Sequence, residues 1–191
     1  MKNTFFYLLL LCSTCLFSQE NKNKGDFEVM LSYGNAKVDI ANIQSVGYLS
    51  GVRLKKEFTI HKNYAIVSGV DLNNFFLGGG DFHFETKYVS LPVSFRAKMK
   101  NGNSTLYAEF GGDLNYQYKF KGIDNVTGLE VEHSGLGSSI GLFYKVGYKY
   151  DFSENLKFNL ALFSGADLSS DFKSDVPESE IDNFIGIELG L

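Results

Sequence analysis

The sequence predicts an all-β chain folded as an eight-stranded antiparallel up-and-down transmembrane β-barrel, with short periplasmic turns and longer extracellular loops. Apolar residues recur at every second position in eight separate segments, and nothing after Gly25 repeats at the helical period. The links between the segments alternate between tight turns and longer polar stretches. Twenty Gly, eighteen Phe and eleven Tyr against two Pro and no Trp suit strands. The longest apolar run, Phe5 to Phe17, is shorter than the roughly 20 residues a spanning helix needs. The 191 residues amount to one domain. A net charge of −4 with no basic run argues against a nucleic-acid partner.

Residues 1–19 read as a signal peptide. Met1, Lys2 and Asn3 make a short basic start, Phe5 to Leu11 an apolar stretch, and Cys12 to Cys15 the opening of a small-residue region. Cleavage is expected between Cys15 and Gln19, which leaves residues 20–191 as the barrel domain. Acylation of Cys12 or Cys15 fits less well, because the residues before each match the lipidation pattern poorly. Both cysteines lie in this leader, so the mature chain would carry no thiol, disulfide or cysteine metal site. Loss of Lys2 would bring its net charge to −5.

The apolar sets, in chain order, begin with Phe27, Val29, Leu31 and Tyr33. Then come every second residue from Val46 to Phe58, from Tyr64 to Leu72 and from Val89 to Met99. The fifth segment is the clearest. Leu106, Ala108, Phe110, Gly112, Leu114, Tyr116, Tyr118 and Phe120 form one face, and Tyr107, Glu109, Gly111, Asp113, Asn115, Gln117, Lys119 and Lys121 the other. The last three sets run from Ile140 to Tyr150, from Leu156 to Leu168 and from Ile185 to Leu191. Thr59–Asn63, Lys100–Ser104 and Asp151–Asn155 are the tight turns. Asp39–Ser45, Phe75–Thr86, Gly122–Ser138 and Ser169–Glu180 are the longer loops. Short links at one end and long links at the other are the layout of a membrane barrel.

Alternation alone does not say which face is outside. A soluble periplasmic lipocalin-like barrel carrying an apolar ligand alternates too, with its apolar side inward. Three features favour lipid outside. The polar face is rich in glycine, which suits a narrow, packed lumen. Tyr33, Tyr48, Tyr64, Tyr116, Tyr118, Tyr148 and Tyr150 lie near strand ends on the apolar face, like aromatic girdles. The chain ends inside a strand, at Leu191. The one charge on the apolar face, Lys56, is next to a short turn, where it could reach the headgroups.

Two segments carry a family resemblance. Tyr88-Val89-Ser90-Leu91-Pro92-Val93 is similar to the aromatic-x-x-aliphatic-Pro-aliphatic strand of the small porin-like, OmpA/OmpX-like outer-membrane β-barrels of Gram-negative bacteria. Ile185-Gly186-Ile187-Glu188-Leu189-Gly190-Leu191 resembles their alternating C-terminal strand, although Leu191 stands where such barrels more often have Phe. The resemblance covers about Gly25 to Leu191 and implies an outer-membrane location. Pro92 lacks a ladder donor, so a bulge is expected there.

Candidate chemistry concentrates on the polar face. Arg53, Arg96, Glu109, Lys145 and Glu188 should all lie in the lower half of the lumen, where ions of either sign need partners. The expectation is a structural ion-pair cluster that fills the barrel; the sharper alternative is a narrow porin-like channel with a gate. Asp81, His83 and Glu85 alternate along a loop edge but read as solvated, so no metal is assigned. A lipid-acting enzyme built on His83, Asp81 and Ser90 would need an apolar pocket, and the inward set is rich in charges, so no catalytic residue and no cofactor is assigned. Gly78-Gly79-Gly80 lacks the Lys and Ser/Thr of a phosphate loop. The expected partners are outer-membrane lipid and, through the loops, a surface protein, glycan or lipopolysaccharide.

Overall fold

A computed structural model describes residues 27–40, 43–79, 81–153, 156–172 and 179–190. The expected signal peptide, residues 1–19, and the terminal Leu191 lie outside the described residues. Eight strands follow one another: β1 (Phe27–Ile40), β2 (Ile43–His61), β3 (Tyr64–Gly79), β4 (Phe82–Asn101), β5 (Ser104–Asp124), β6 (Glu130–Asp151), β7 (Lys157–Phe172) and β8 (Ser179–Gly190). Each pairs antiparallel with the next, and β8 returns to β1, so the sheet closes on itself with no free lateral edge strand. At the β4–β5 turn, Gly102 holds a φ of +59°, a conformation that L side chains adopt rarely.

The apolar side faces outward. Phe110 is 61% and Leu160 40% exposed, whereas Glu109 and Arg96 are 3% and 1% exposed inside. This is the reverse of the lipocalin-like alternative over the lower barrel, and it is the distribution lipid imposes. Tyr64 stacks on Phe95 at 5.5 Å between ring centres, and Tyr48 on Phe76 at 5.2 Å, both on the outer surface. Lys56 sits with its ammonium 5.2 Å from the Phe27 ring and 5.3 Å from the Phe58 ring.

The strands run well beyond the expected apolar segments, and most of three expected loops is strand. Of these, Asp39–Ile40 and Ile43–Ser45 belong to β1 and β2, Phe75–Gly79 and Phe82–Thr86 to β3 and β4, and much of Gly122–Ser138 to β5 and β6. The 21 residues of β5 rise about 50 Å at roughly 3.3 Å per residue and 40° tilt, twice the ~25 Å apolar band. The reason is an inversion of pattern. Above Tyr33 the outward residues of β1 become Asn35, Lys37 and Asp39, and the inward ones Ala36, Val38 and Ile40. The upper interior is an apolar cluster that also contains Leu49, Phe75, Leu77, Tyr88, Phe120, Phe163 and Ile181. The inward set, expected to be rich in charges, is so in the lower barrel. Its upper layer is a small conventional core.

Two local expectations are corrected. No register shift occurs at Pro92; the β3–β4 ladder skips the positions opposite Gly69 and Val70, then resumes in the same register. The missing donor is absorbed as a gap, and Ser68 Oγ donates to the Pro92 carbonyl at 3.0 Å. The nearest bulge instead involves Tyr118, between the pairs Tyr88↔Gln117 and Lys87↔Lys119. One extra residue reverses the parity of the positions beyond it, so Phe120 points inward and is buried, not outward with Tyr116.

Candidate functional site: the charged lumen

The lower lumen is built from inward positions on all eight strands. Cross-strand register sets Arg96 of β4 opposite Glu109 of β5, and Glu109 opposite Lys145 of β6. This makes a ladder of alternating sign on one inner wall. Arg96 Nη2 lies 2.8 Å from Glu109, and Lys145 Nζ 3.8 Å from Glu109 and 2.8 Å from Glu188. Arg53 pairs with Glu188 and also meets Asp71 at 3.4 Å. The five residues singled out from the sequence thus form one chain of contacts, Arg96–Glu109–Lys145–Glu188–Arg53, with every member buried.

The chain belongs to a larger network that the sequence reading missed. Arg96 also reaches Glu28 at 2.8 Å and Glu57 at 2.7 Å. Lys149 joins both glutamates, lying 3.2 Å from Glu57. Lys98 closes on Glu57, and Lys55 lies 3.5 Å from Glu188. Tyr107 donates to Asn159 at 2.9 Å, and Asn159 donates to Glu28 at 3.0 Å. The Tyr107 ring also carries the Arg96 guanidinium 4.4 Å from its centre. It lies over Gly147, where any side chain would collide with the ring. The parity rule held the signal for the missed ions: Lys55 and Glu57 follow Arg53 at steps of two, and Lys149 follows Lys145 at a step of four.

Above this layer the chemistry changes. Asn115 donates to Asp113 at 3.1 Å and to Asp167 at 3.2 Å, and the Ile181 backbone N–H donates to Asp167 at 3.1 Å. A cavity of about 20 Å³ lies between the ionic and apolar layers, lined by Arg53, Asp113 and Asn115 below and Leu49, Phe75 and Ile181 above. That is room for one or two waters. Higher still, Tyr88 meets Ser179 at 3.1 Å, Ser179 donates to Gln117 at 2.8 Å, and Gln117 donates to Thr86.

The loop-edge residues are placed elsewhere. His83 and Glu85 are in β4, with Asp81 just before it. His83 Nδ1 lies 2.6 Å from Asn125, and Glu85 takes Asn74 at 3.1 Å and Lys87 at 3.0 Å. Among the described residues no group of three His, Cys, Asp or Glu could hold a metal ion. Ser90 is buried in the lumen, apart from His83 on the exposed part of β4.

The fold has known counterparts. Neisserial surface protein A superposes with a TM-score of 0.54 at 13% identity, over 88% of this chain and 99% of that one. The chain shares its fold. Ail of Yersinia pestis, solved with the heparin analogue sucrose octasulfate, is 14% identical over 88% of this chain and all of that one, with a TM-score of 0.46. The outer-membrane protein OprG of Pseudomonas aeruginosa is 14% identical over 87% and 96%, also at 0.46. No protein-family model matches the chain, and no curated protein matches it in sequence.

Proposed function

We propose that the chain is an integral outer-membrane barrel, exported by its first 19 residues, whose lumen is plugged by ion pairs and whose outer hairpins meet surface partners. One observation carries the reading: the lower barrel is apolar outside and ionic inside, with Phe110 exposed while its neighbour Glu109 is buried. In water that arrangement would expose a wide apolar belt. In a bilayer both faces find their solvent.

The network of Arg53, Arg96, Glu109, Lys145 and Glu188 fills the lumen as a structural plug. The cavity of about 20 Å³ beside Arg53, room for one or two waters, supports the plug. The outer hairpins then supply the interactive surface, toward a protein, a glycan or lipopolysaccharide. Membrane fractionation combined with heat-modifiable gel mobility tests the placement. Recovery in the soluble periplasmic fraction would contradict it. Planar bilayers test the plug: silence supports it, and discrete conductance steps favour a gated channel.

A further inference from the structure

The wall between β7 and β8 is incomplete. The two strands share a ladder only from Asn159↔Gly190 to Gly165↔Phe184. Above that pair β7 continues to Phe172 on β6 alone, and β8 reaches up to Ser179 on β1 alone. Among the described residues this is the one boundary where a ladder ends although both strands run on. A single side chain crosses the gap: Asp167 of β7 accepts the Ile181 backbone N–H of β8 at 3.1 Å. The seam is above the bilayer. Its β8 side, Ile181 to Phe184, is opposite Ala36 to Val38 of β1, beyond Tyr33, where the outward residues are polar. It therefore opens toward water and headgroups.

The inner side of the seam meets the cavity of about 20 Å³. Ile181 and Phe184 line that cavity together with Asp113 and Asn115, and Asn115 donates to Asp167 as well as to Asp113. Burial follows the gap. Leu49, Phe75, Ser90 and Ser139, inward residues on the continuous part of the wall, are buried. Asp167 and Phe184, inward on the two sides of the seam, are only partly buried, and so is Asp113. The apolar cluster closes the cavity above, and the ion pairs of Arg53 close it below.

We propose that the β7–β8 seam is a lateral entrance through which water and the smallest polar solutes reach the cavity above the ion-pair plug, with Asp167 as the strap across it. A ladder opens only by breaking consecutive backbone bonds together, whereas a single side-chain bond opens by one rotation of Asp167. The strap is lightly held. Asp167 shares the Asn115 amide with Asp113, a second carboxylate, while the buried cations Arg53 and Lys145 are held by Glu188, Asp71 and Glu109. The entrance ends on the plug, and it stands whether or not the plug conducts.

Thiol labelling tests this. Cys12 and Cys15 precede residue 20, so a barrel that starts there carries no cysteine of its own. Ser90→Cys places a thiol in the cavity wall, and Ser94→Cys one inside the plug beside Glu109. Each is refolded into lipid nanodiscs and treated with methyl methanethiosulfonate, and the adduct is followed by mass spectrometry. Ser90→Cys should react, and Ser94→Cys should stay unlabelled. Adding Asp167→Ala should speed the reaction at Cys-substituted Ser90 at least fivefold with heat-modifiable mobility retained. Adding Leu77→Ala instead, which loosens the apolar layer above, should leave the rate unchanged. Ser90→Cys as inert as Ser94→Cys, a folded Asp167→Ala without effect, or an equal gain from Leu77→Ala overturns the proposal. Amide exchange on the unsubstituted barrel decides the matter if Asp167→Ala does not fold. The protection factor of the Ile181 N–H should be at least fivefold below those of Ile185 to Leu189, which lie between two ladders, and equal protection overturns the entrance.

Discussion

Arg96 grips a single oxygen of Glu109: its Nε and Nη2 donate to Oε2 at 3.0 and 2.8 Å, and Oε1 is left to Ser94, which donates at 2.8 Å. The carboxylate is therefore shared between a guanidinium and a hydroxyl on the facing strand, with Lys145 behind it. Removing it strands two buried cations that have other partners, Glu28 and Glu57 for Arg96 and Glu188 for Lys145. Glu109→Ala should cost about 3 kcal/mol, the low end for breaking a buried pair. Urea unfolding in vesicles, followed by gel mobility, measures it.

Glu188→Ala should cost more, about 5 kcal/mol, because three cations converge on it and only one of them contacts Glu109. It is also on the closing strand. A slower appearance of the compact gel band than in Glu109→Ala is expected in refolding time courses. Equal effects of the two variants would count against the keystone role of Glu188.

The outward face should follow depth. Phe110→Arg, midway along the apolar part of β5, should lose roughly 2–4 kcal/mol, and Met99→Arg beside the Gly102 turn roughly 0–1 kcal/mol. The same vesicle unfolding series reads both. A reversed order would contradict lipid on this face.

Planar bilayers should show no steps for the native barrel. The double variant Arg96→Ala/Glu109→Ala, which empties the middle of the ladder, should leak measurably. Native conductance steps altered by Glu109→Ala would replace the plug with a gate.

At the β5–β6 tip, Asp124 accepts from the Thr127 hydroxyl at 2.7 Å and from the backbone N–H groups of Val126 at 2.8 Å and Thr127 at 3.3 Å. The Thr127 hydroxyl first, then the Val126 amide, hold its carboxyl below the ordinary aspartate range. A lowered value means that the charged form supports the folded turn. That support is complete above the ordinary aspartate value and is lost as pH falls through the lower folded one. Amide protection factors at Val126 and Thr127, taken relative to intrinsic exchange, should therefore fall only in that acid window, and be low at all pH in Asp124→Ala.

The legible part of the lumen was the part governed by parity. Arg53, Arg96, Glu109, Lys145 and Glu188 could be assigned to one face because side chains in a strand alternate without exception until a bulge intervenes. Phe120 was misassigned because the Tyr118 bulge has no mark in composition. The upper interior was missed because its apolar residues change sides above the tyrosines, so a search for one apolar face stops where the bilayer stops.

The sequence by itself determined the strand number, the order of turns, and which residues meet lipid across the lower barrel. Those features come from local periodicity and from the cost of charge in hydrocarbon. Tertiary structure decided the partners: that Arg53 of β2 meets Glu188 of β8, that Arg96 gathers three glutamates, and that Gly122 lies between Phe84 and Val131. Such pairs depend on strand register and on distances across a closed barrel, which no local pattern encodes.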